Sequence, residues 1–186
     1  MTGASRDLVV GVDAGGTGTR AVAATVEGAV VGRGSGGPGN PTAHGIPVAV
    51  GSLVAAVRSA LRGQDGTRVV RVLIAGAGGG AVIAPDLPAA LAAALAAEGL
   101  AAPVDYRPDV EAAYAAGTAD PDGYVLVAGT GAAACEIAAG AMVRYVDGNG
   151  WLVGDDGSGF WLGREAVRAA LAALDGRGGP TRLVER

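Results

Sequence analysis

The feature that most constrains this fold is a change of period near residue 46. Before it lie three short β runs in succession, residues 8–12, 19–26 and 30–35, joined only by Gly-rich turns. Turns that short connect neighbouring antiparallel strands, so the three form a meander. After it the apolar spacing becomes helical. Val48, Leu53, Val54, Val57 and Leu61 define a helix over residues 47–62, which Gly63 ends. Strands and helices then alternate: a strand over 69–75, an Ala-rich helix over 88–97, a strand over 104–107 and a helix over 109–117. The run at 69–75 is almost wholly β-branched and apolar, which predicts a strand covered on both faces. A second β-turn-β series starts at 124–128, read as another buried strand, and continues through 133–137 and 142–146. A Gly-rich stretch over 148–159 precedes a last helix over 164–174.

Strict alternation would predict a doubly wound parallel sheet. A meander followed by alternation instead matches a ribonuclease-H-like domain. The expected architecture is therefore α/β. A ribonuclease-H-like domain with a mixed five-stranded sheet and helices would occupy residues 1–118. Residues 119–186 would begin a second such domain, incomplete.

Composition removes several chemistries. The 186 residues include 14 Arg and no Lys. A Walker A loop, the strand Lys of protein kinases and Schiff-base catalysis are all excluded. The single His44 leaves little room for a Ser-His-Asp triad or a His-based zinc site. Cys135 alone excludes intramolecular disulfides, a Cys-built zinc site and an iron–sulfur cluster within the chain, and it suits a reduced cytoplasm. A net charge of −4 argues against a nucleic-acid partner. No apolar run is long enough to span a membrane, and residues 1–7 lack the order of a secretory signal. Any phosphate must be handled by backbone amides, hydroxyls and a metal ion.

Four segments could do so. In GVDAGGTGTR (11–20), a carboxylate, Asp13, ends a buried strand, and a hairpin of small residues follows. Gly15 and Gly16 allow backbone amides to approach a phosphate, Thr17 and Thr19 add hydroxyls, and Asp13 could hold Mg²⁺ through water. A tight hairpin with an Asx turn is the plain alternative. VLVAGTGAAA (125–134) repeats the pattern through Gly129, Thr130 and Gly131. In YRPDVEAAYAAG, Asp109 stands at a strand-to-helix junction, as a helix N-cap, as a general base, or both. GNGWLVGDDGSGFWLGREA (148–166) sets aromatics beside paired Asp, which suits a sugar and also suits a hydrophobic anchor between domains. A rival lies at Gly76–Ala81, where GAGGGA satisfies G-x-G-x-x-A with Asp105 downstream, the fingerprint of a dinucleotide-binding oxidoreductase. Against it, Pro85 and Pro88 delay the next helix by about ten residues, whereas the fingerprint needs a helix opening within the motif.

Taken in order, GVDAGGTGTR, RPDVEAAYAAG, VLVAGTGAAA and GDDGSGFWLGREAVRAAL resemble the N-acetylglucosamine kinase branch of the BadF/BadG/BcrA/BcrD ATPase family, within the sugar kinase, Hsp70 and actin superfamily. The likeness implies phosphate motifs at Gly15, Gly16, Thr17, Thr19 and at Gly129, Thr130, Gly131. It also implies Asp13 for the metal, Asp109 as catalytic base, and Asn40, Gly76, Asp109 and Asp155 at the sugar. ATP and Mg²⁺ are the implied cofactors. The implied substrate is a small-molecule amino sugar phosphorylated at O6, and association as a homodimer stays open. Family members carry a complete second domain, whereas this chain stops within what looks like that domain's first helix. A truncated, non-catalytic sugar- or nucleotide-binding fragment is therefore the alternative. The chain also reads Gly148-Asn149-Gly150-Trp151 for the usual Gly-Gly-Trp-Gly, and Asp156 stands in place of Glu.

Overall fold

Parity along the first strand sets the architecture. Leu8, Val10, Val12 and Ala14 of β1 (Leu8–Ala14) are buried on one face, while Val9, Gly11 and Asp13 project from the other. The computed structural model describes residues 7–76 and 86–184. The chain divides into two compact units, Met1–Ala116 and Gly117–Arg186.

In the first unit, β1 pairs antiparallel with β2 (Thr19–Thr25), which pairs antiparallel with β3 (Val30–Gly36). A single helical turn, α1 (Pro41–His44), leads into α2 (Ile46–Ala60). Then β4 (Val69–Gly76) adds parallel to β1, α3 (Leu87–Ala97) follows, and β5 (Val104–Pro108) adds parallel to β4 before α4 (Asp109–Gly117). The sheet order β3-β2-β1-β4-β5 is the expected mixed five-stranded arrangement.

The core lies between the sheet and α2 and α3. Leu8, Val10, Val12, Val72 and Ile74 meet Leu53, Val57, Leu91 and Leu95 there. The abundance of small residues has a structural use at this contact. Helix α2 lies so close to β3 that a Cβ on Gly32, Gly34 or Gly36 would overlap the carbonyl oxygens of Ala60, Ala56 and Ser52 in turn. Only hydrogen at those three alternate positions permits the approach.

Coverage of β4 corrects one expectation. Val72 and Ile74 are buried, but Val70, Arg71 and Leu73 are exposed, so one face is covered rather than two. The apolar run signals strand but not the number of packed faces.

The second unit repeats the opening of the first. Strands β6 (Gly123–Ala128), β7 (Ala132–Ala138) and β8 (Ala141–Asp147) form an antiparallel sheet, and α5 (Gly159–Leu174) follows. Ala133, Cys135 and Ile137 of the central strand are buried. The expectation of a buried strand at 124–128 is not met, since Tyr124 is 80% and Leu126 78% exposed. The cause is position, because β6 is an edge strand and those two residues share the uncovered face of its sheet. Helix α5 starts five residues before the expected point, capped by Ser158, whose Oγ accepts the Trp161 N–H at 3.0 Å. Its Val167, Leu171 and Leu174 are more than half exposed.

Candidate active site

Because β1, β4 and β5 run parallel, their carboxyl ends share one sheet edge. Register places Asp13 opposite Ala75, Ala14 opposite Gly76, and Gly76 opposite Pro108, directly before Asp109. Asp13, Gly76 and Asp109 thus stand within a residue of the same level on three adjacent strands. In open α/β sheets, ligands bind beyond such strand ends.

Asp109 is half-buried at the first turn of α4. Burial pushes its carboxyl above the ordinary carboxylate range, the Val110 N–H opposes that rise, and the negative charge of Asp13 adds to it. Tyr106 stands at the same edge. Its phenol lies where a Cβ on Gly76 would be, so the bare Cα of Gly76 makes room for that ring. Burial raises the Tyr106 hydroxyl pKa, with a further contribution from the Asp109 charge.

The hairpin after β1 closes through Gly15 N–H donating to the Gly18 carbonyl at 3.0 Å. An open hollow of about 320 Å³ lies beside it, lined by Asp13, Gly15, Thr17, Gly18, Thr19 and Ser35 among others. Thr17 is exposed. Thr19 is 1% exposed and its hydroxyl donates to the Gly37 carbonyl at 2.8 Å, so that proton is committed inside the fold.

The segment holding Asn40 is bound to this hairpin. Gly39 N–H donates to the Gly15 carbonyl at 2.9 Å, and Nε2 of His44, as the protonated ring nitrogen, donates to the Gly16 carbonyl at 2.9 Å. Asn40 Oδ1 caps α1 by accepting from the N–H groups of Thr42 (2.8 Å) and Ala43 (3.3 Å), which leaves its amide nitrogen as a donor. Sequence reasoning missed both α1 and the contact of His44. The Asn-Pro pair at 40–41 is the signal that could have found the helix.

In the second unit, the Gly129-Thr130-Gly131 turn closes with Gly129 N–H on the Gly131 carbonyl at 2.9 Å, and Thr130 is exposed. The N-terminus of α5 fastens to it, Gly159 N–H donating to the Gly129 carbonyl at 2.8 Å. Asp155 Oδ1 accepts from Ala132 N–H at 3.2 Å, directly after the turn. Trp151 and Phe160 contact each other with ring centroids 5.5 Å apart, both partly exposed. The structure thus gathers Asp13, Gly76, Asp109, Asn40 and the first hairpin in one unit, and the second turn with Asp155 in the other. The rival fingerprint from Ala77 to Ala81 lies outside the described residues. Of its other elements, Gly76 ends β4 and Asp105 is in an ion pair with Arg71.

The sequence pattern of the BadF/BadG/BcrA/BcrD ATPase family matches residues 10–182. The chain belongs to that family. No curated protein sequence matches it. Among solved structures, a candidate N-acetylglucosamine kinase from Porphyromonas gingivalis is 28% identical with a TM-score of 0.68, over 89% of this chain and 57% of that one. A candidate N-acetylglucosamine kinase from Chromobacterium violaceum is 23% identical with a TM-score of 0.67, over 96% and 62%. A ROK family glucokinase from Streptomyces griseus, solved with glucose and AMPPNP, is 24% identical with a TM-score of 0.57, over 90% and 62%. The fold of this family member is therefore the ribonuclease-H-like, actin-like ATPase fold of such sugar kinases. The chain spans 57–62% of the length of these three structures.

Among the described residues, no helix is long and apolar enough to cross a membrane. Nor do they include any group of three or more His, Cys, Asp or Glu side chains able to hold a metal ion. The donor set nevertheless fits Mg²⁺, which keeps several waters and needs only one or two carboxylates beside substrate phosphates.

Proposed function

We propose that this family member transfers the γ-phosphoryl group of ATP to a hydroxyl, O6, of an amino sugar such as N-acetylglucosamine or glucosamine. The observation that carries the reading is Asp109, a carboxyl raised by burial at the end of β5, level with Asp13 and Gly76. A general base works best with a pKa moved toward the operating pH, and a strand-end carboxylate in a sugar kinase fold has a defined task. Asp109 accepts the proton of the attacking hydroxyl as its oxygen bonds to the γ-phosphorus. The bond from that phosphorus to the β–γ bridging oxygen breaks, and ADP leaves.

Asp13 would hold Mg²⁺ through water, and that ion would neutralise charge on the phosphates. The amide of Gly16 and the Thr17 hydroxyl bind phosphate oxygens, as do Thr130 and Gly131, while the amides of Gly15 and Gly129 close the two turns and so shape them for the phosphate. Thr19 contributes by fixing the neighbouring loop, since its hydroxyl is already donated. The side-chain amide of Asn40 donates to the sugar, the carboxylate of Asp155 accepts from it, and Gly76, with Tyr106 against it, lines the same pocket. The organisation behind this reading is a domain over residues 1–118 and the start of a second over 119–186.

The test is sugar-dependent ADP release with a panel of hexosamines, on the 186 residues and on a protein extended to the length of the relatives. Asn40→Ala and Asp155→Ala are each expected to raise the sugar KM more than they lower kcat. A hydrogen bond to a charged group is worth about 1.5–3 kcal/mol, or roughly 10- to 150-fold. Wild-type sugar affinity in both variants would refute their assignment. Because the chain spans 57–62% of its relatives, a second reading is that these residues alone bind sugar or nucleotide weakly without turnover. Robust ADP release by the 186 residues would exclude it.

A further inference from the structure

The loop between β8 and α5 is wound around one carboxylate. Asp147 ends β8 with a φ of 62°. Its Oδ1 accepts the N–H of Asp155 at 2.8 Å, and its Oδ2 accepts that of Asp156 at 2.9 Å. These bonds hold the Asp147 carboxyl below its ordinary value. A Cβ on Gly154 would overlap Asp147 Oδ1, so the loop closes this tightly only with Gly there. Each of its two oxygens accepts one backbone amide, a task for two acceptor atoms that a carboxylate has and the amide of Asn does not.

The consequence falls on Asp155. Its N–H is held by Asp147 and its φ is 58°, a conformation non-glycine residues adopt only when their surroundings hold them there. So fixed, its carboxylate faces the phosphate turn. Oδ1 accepts from Ala132 N–H, and a Cβ on Gly131 would stand 3.2 Å from that oxygen. The other oxygen, Oδ2, is then available as an acceptor.

We propose that Asp147 is a positioning residue of the acceptor-sugar site. It sets Asp155 so that one oxygen braces the Gly-Thr-Gly turn and the other receives a sugar hydroxyl. The proposal rests on the reading of Asp155 as a sugar-binding residue. It adds a dependence between the sugar loop and the second phosphate turn.

Two substitutions keep the left-handed backbone within reach while removing the carboxylate. Asp147→Asn retains one acceptor, and Asp147→Gly retains none. Hydrogen exchange on the full chain is expected to quicken about tenfold or more at the amides of Ala132, Asp155 and Asp156 in both variants. Slow exchange at Val10 and Val12 of β1 serves as the control that the fold persists. Calorimetry with N-acetylglucosamine is expected to show affinity weakened about tenfold or more in Asp147→Asn, with little further loss when Asp147→Asn is added to Asp155→Asn. Unchanged exchange at Ala132, or multiplying losses of affinity in the double variant, would overturn the proposal, because a merely structural residue would not act through Asp155. If the wild-type chain binds no amino sugar, the functional reading falls. The exchange at Ala132 still decides whether Asp147 positions Asp155.

Discussion

Asp109→Asn separates the catalytic from the structural role of this residue, because the two roles predict opposite effects. As a polar group in the first turn of α4, where its carboxylate accepts the Val110 N–H, Asp109 can be replaced by Asn, whose side-chain oxygen accepts the same bond. As a general base it is not, since the Asn amide cannot accept the proton. In a protein of the relatives' full length, kcat is expected to fall about 10²–10⁴-fold, or roughly 2.7–5.4 kcal/mol of barrier. Sugar affinity should stay within a few-fold, because the Asn carbonyl still accepts a hydrogen bond. Stability should move the other way. Burial and the charge of Asp13 raise the carboxyl pKa in the folded state. The folded protein therefore binds the proton more tightly than the unfolded chain. The resulting stabilisation is fully present below the unfolded value near 3.8 and is lost as pH rises through the folded value. At neutral pH the ionised Asp109 is thus a burden that Asn removes. The variant's Tm relative to wild type should be higher at pH 7 than at pH 4. The assays are ADP release and thermal unfolding at both pH values. Unchanged turnover, or a variant less stable at pH 7 than at pH 4 relative to wild type, would refute the argument.

Two further outcomes are expected. His44→Ala should raise the KM for ATP severalfold by releasing the Gly16 carbonyl, and His44→Gln, whose amide can donate to the same oxygen, should recover most of the loss; equal kinetics in both variants would place the effect elsewhere. Leu53→Ala, at a fully buried position of α2, should cost about 3–5 kcal/mol in urea unfolding, and a cost under about 1 kcal/mol would mean that α2 is not packed on the sheet as described.

What the sequence could reveal divides along the range of the interactions. The order of strands and helices was legible because period 2 and period 3.6 are local. So was the placement of Asp13 and Asp109 at strand ends, since that needs only the strands to be located. Parity could also have separated the two threonines. Thr19 shares its face of β2 with Ala21 and Ala23, all three buried, whereas Thr17 lies in the turn outside the strand. The covering of β4 and β6 was not legible. An apolar run is identical whether one face of its strand is packed or both, and only contact with distant segments distinguishes them. The early start of α5 was obscured by Gly159 and Gly163, each of which weakens helix propensity by about 1 kcal/mol, while Ser158 as cap outweighs them.

The contacts that organise the two Gly-Thr-Gly turns were the least legible, and they follow one plan. Each turn is small-residue backbone with an exposed threonine, Thr17 in one and Thr130 in the other. Such a turn is flexible by composition and would lose much entropy on gripping a phosphate. In each unit a segment further along the chain holds the turn's backbone in advance. Gly39 N–H and His44 bind the carbonyls of Gly15 and Gly16, 24 and 28 residues before them. Asp155 binds the N–H of Ala132, 23 residues before it, and Gly159 N–H binds the carbonyl of Gly129. Both braces take backbone groups and leave the threonine hydroxyls unspent. The segments that brace are also those carrying Asn40 and Asp155, the residues assigned to the sugar. Sugar binding that orders either segment would therefore tighten the adjacent phosphate turn. On that argument ATP should bind more tightly in the presence of the acceptor sugar than in its absence, and by linkage the sugar should bind more tightly with ATP.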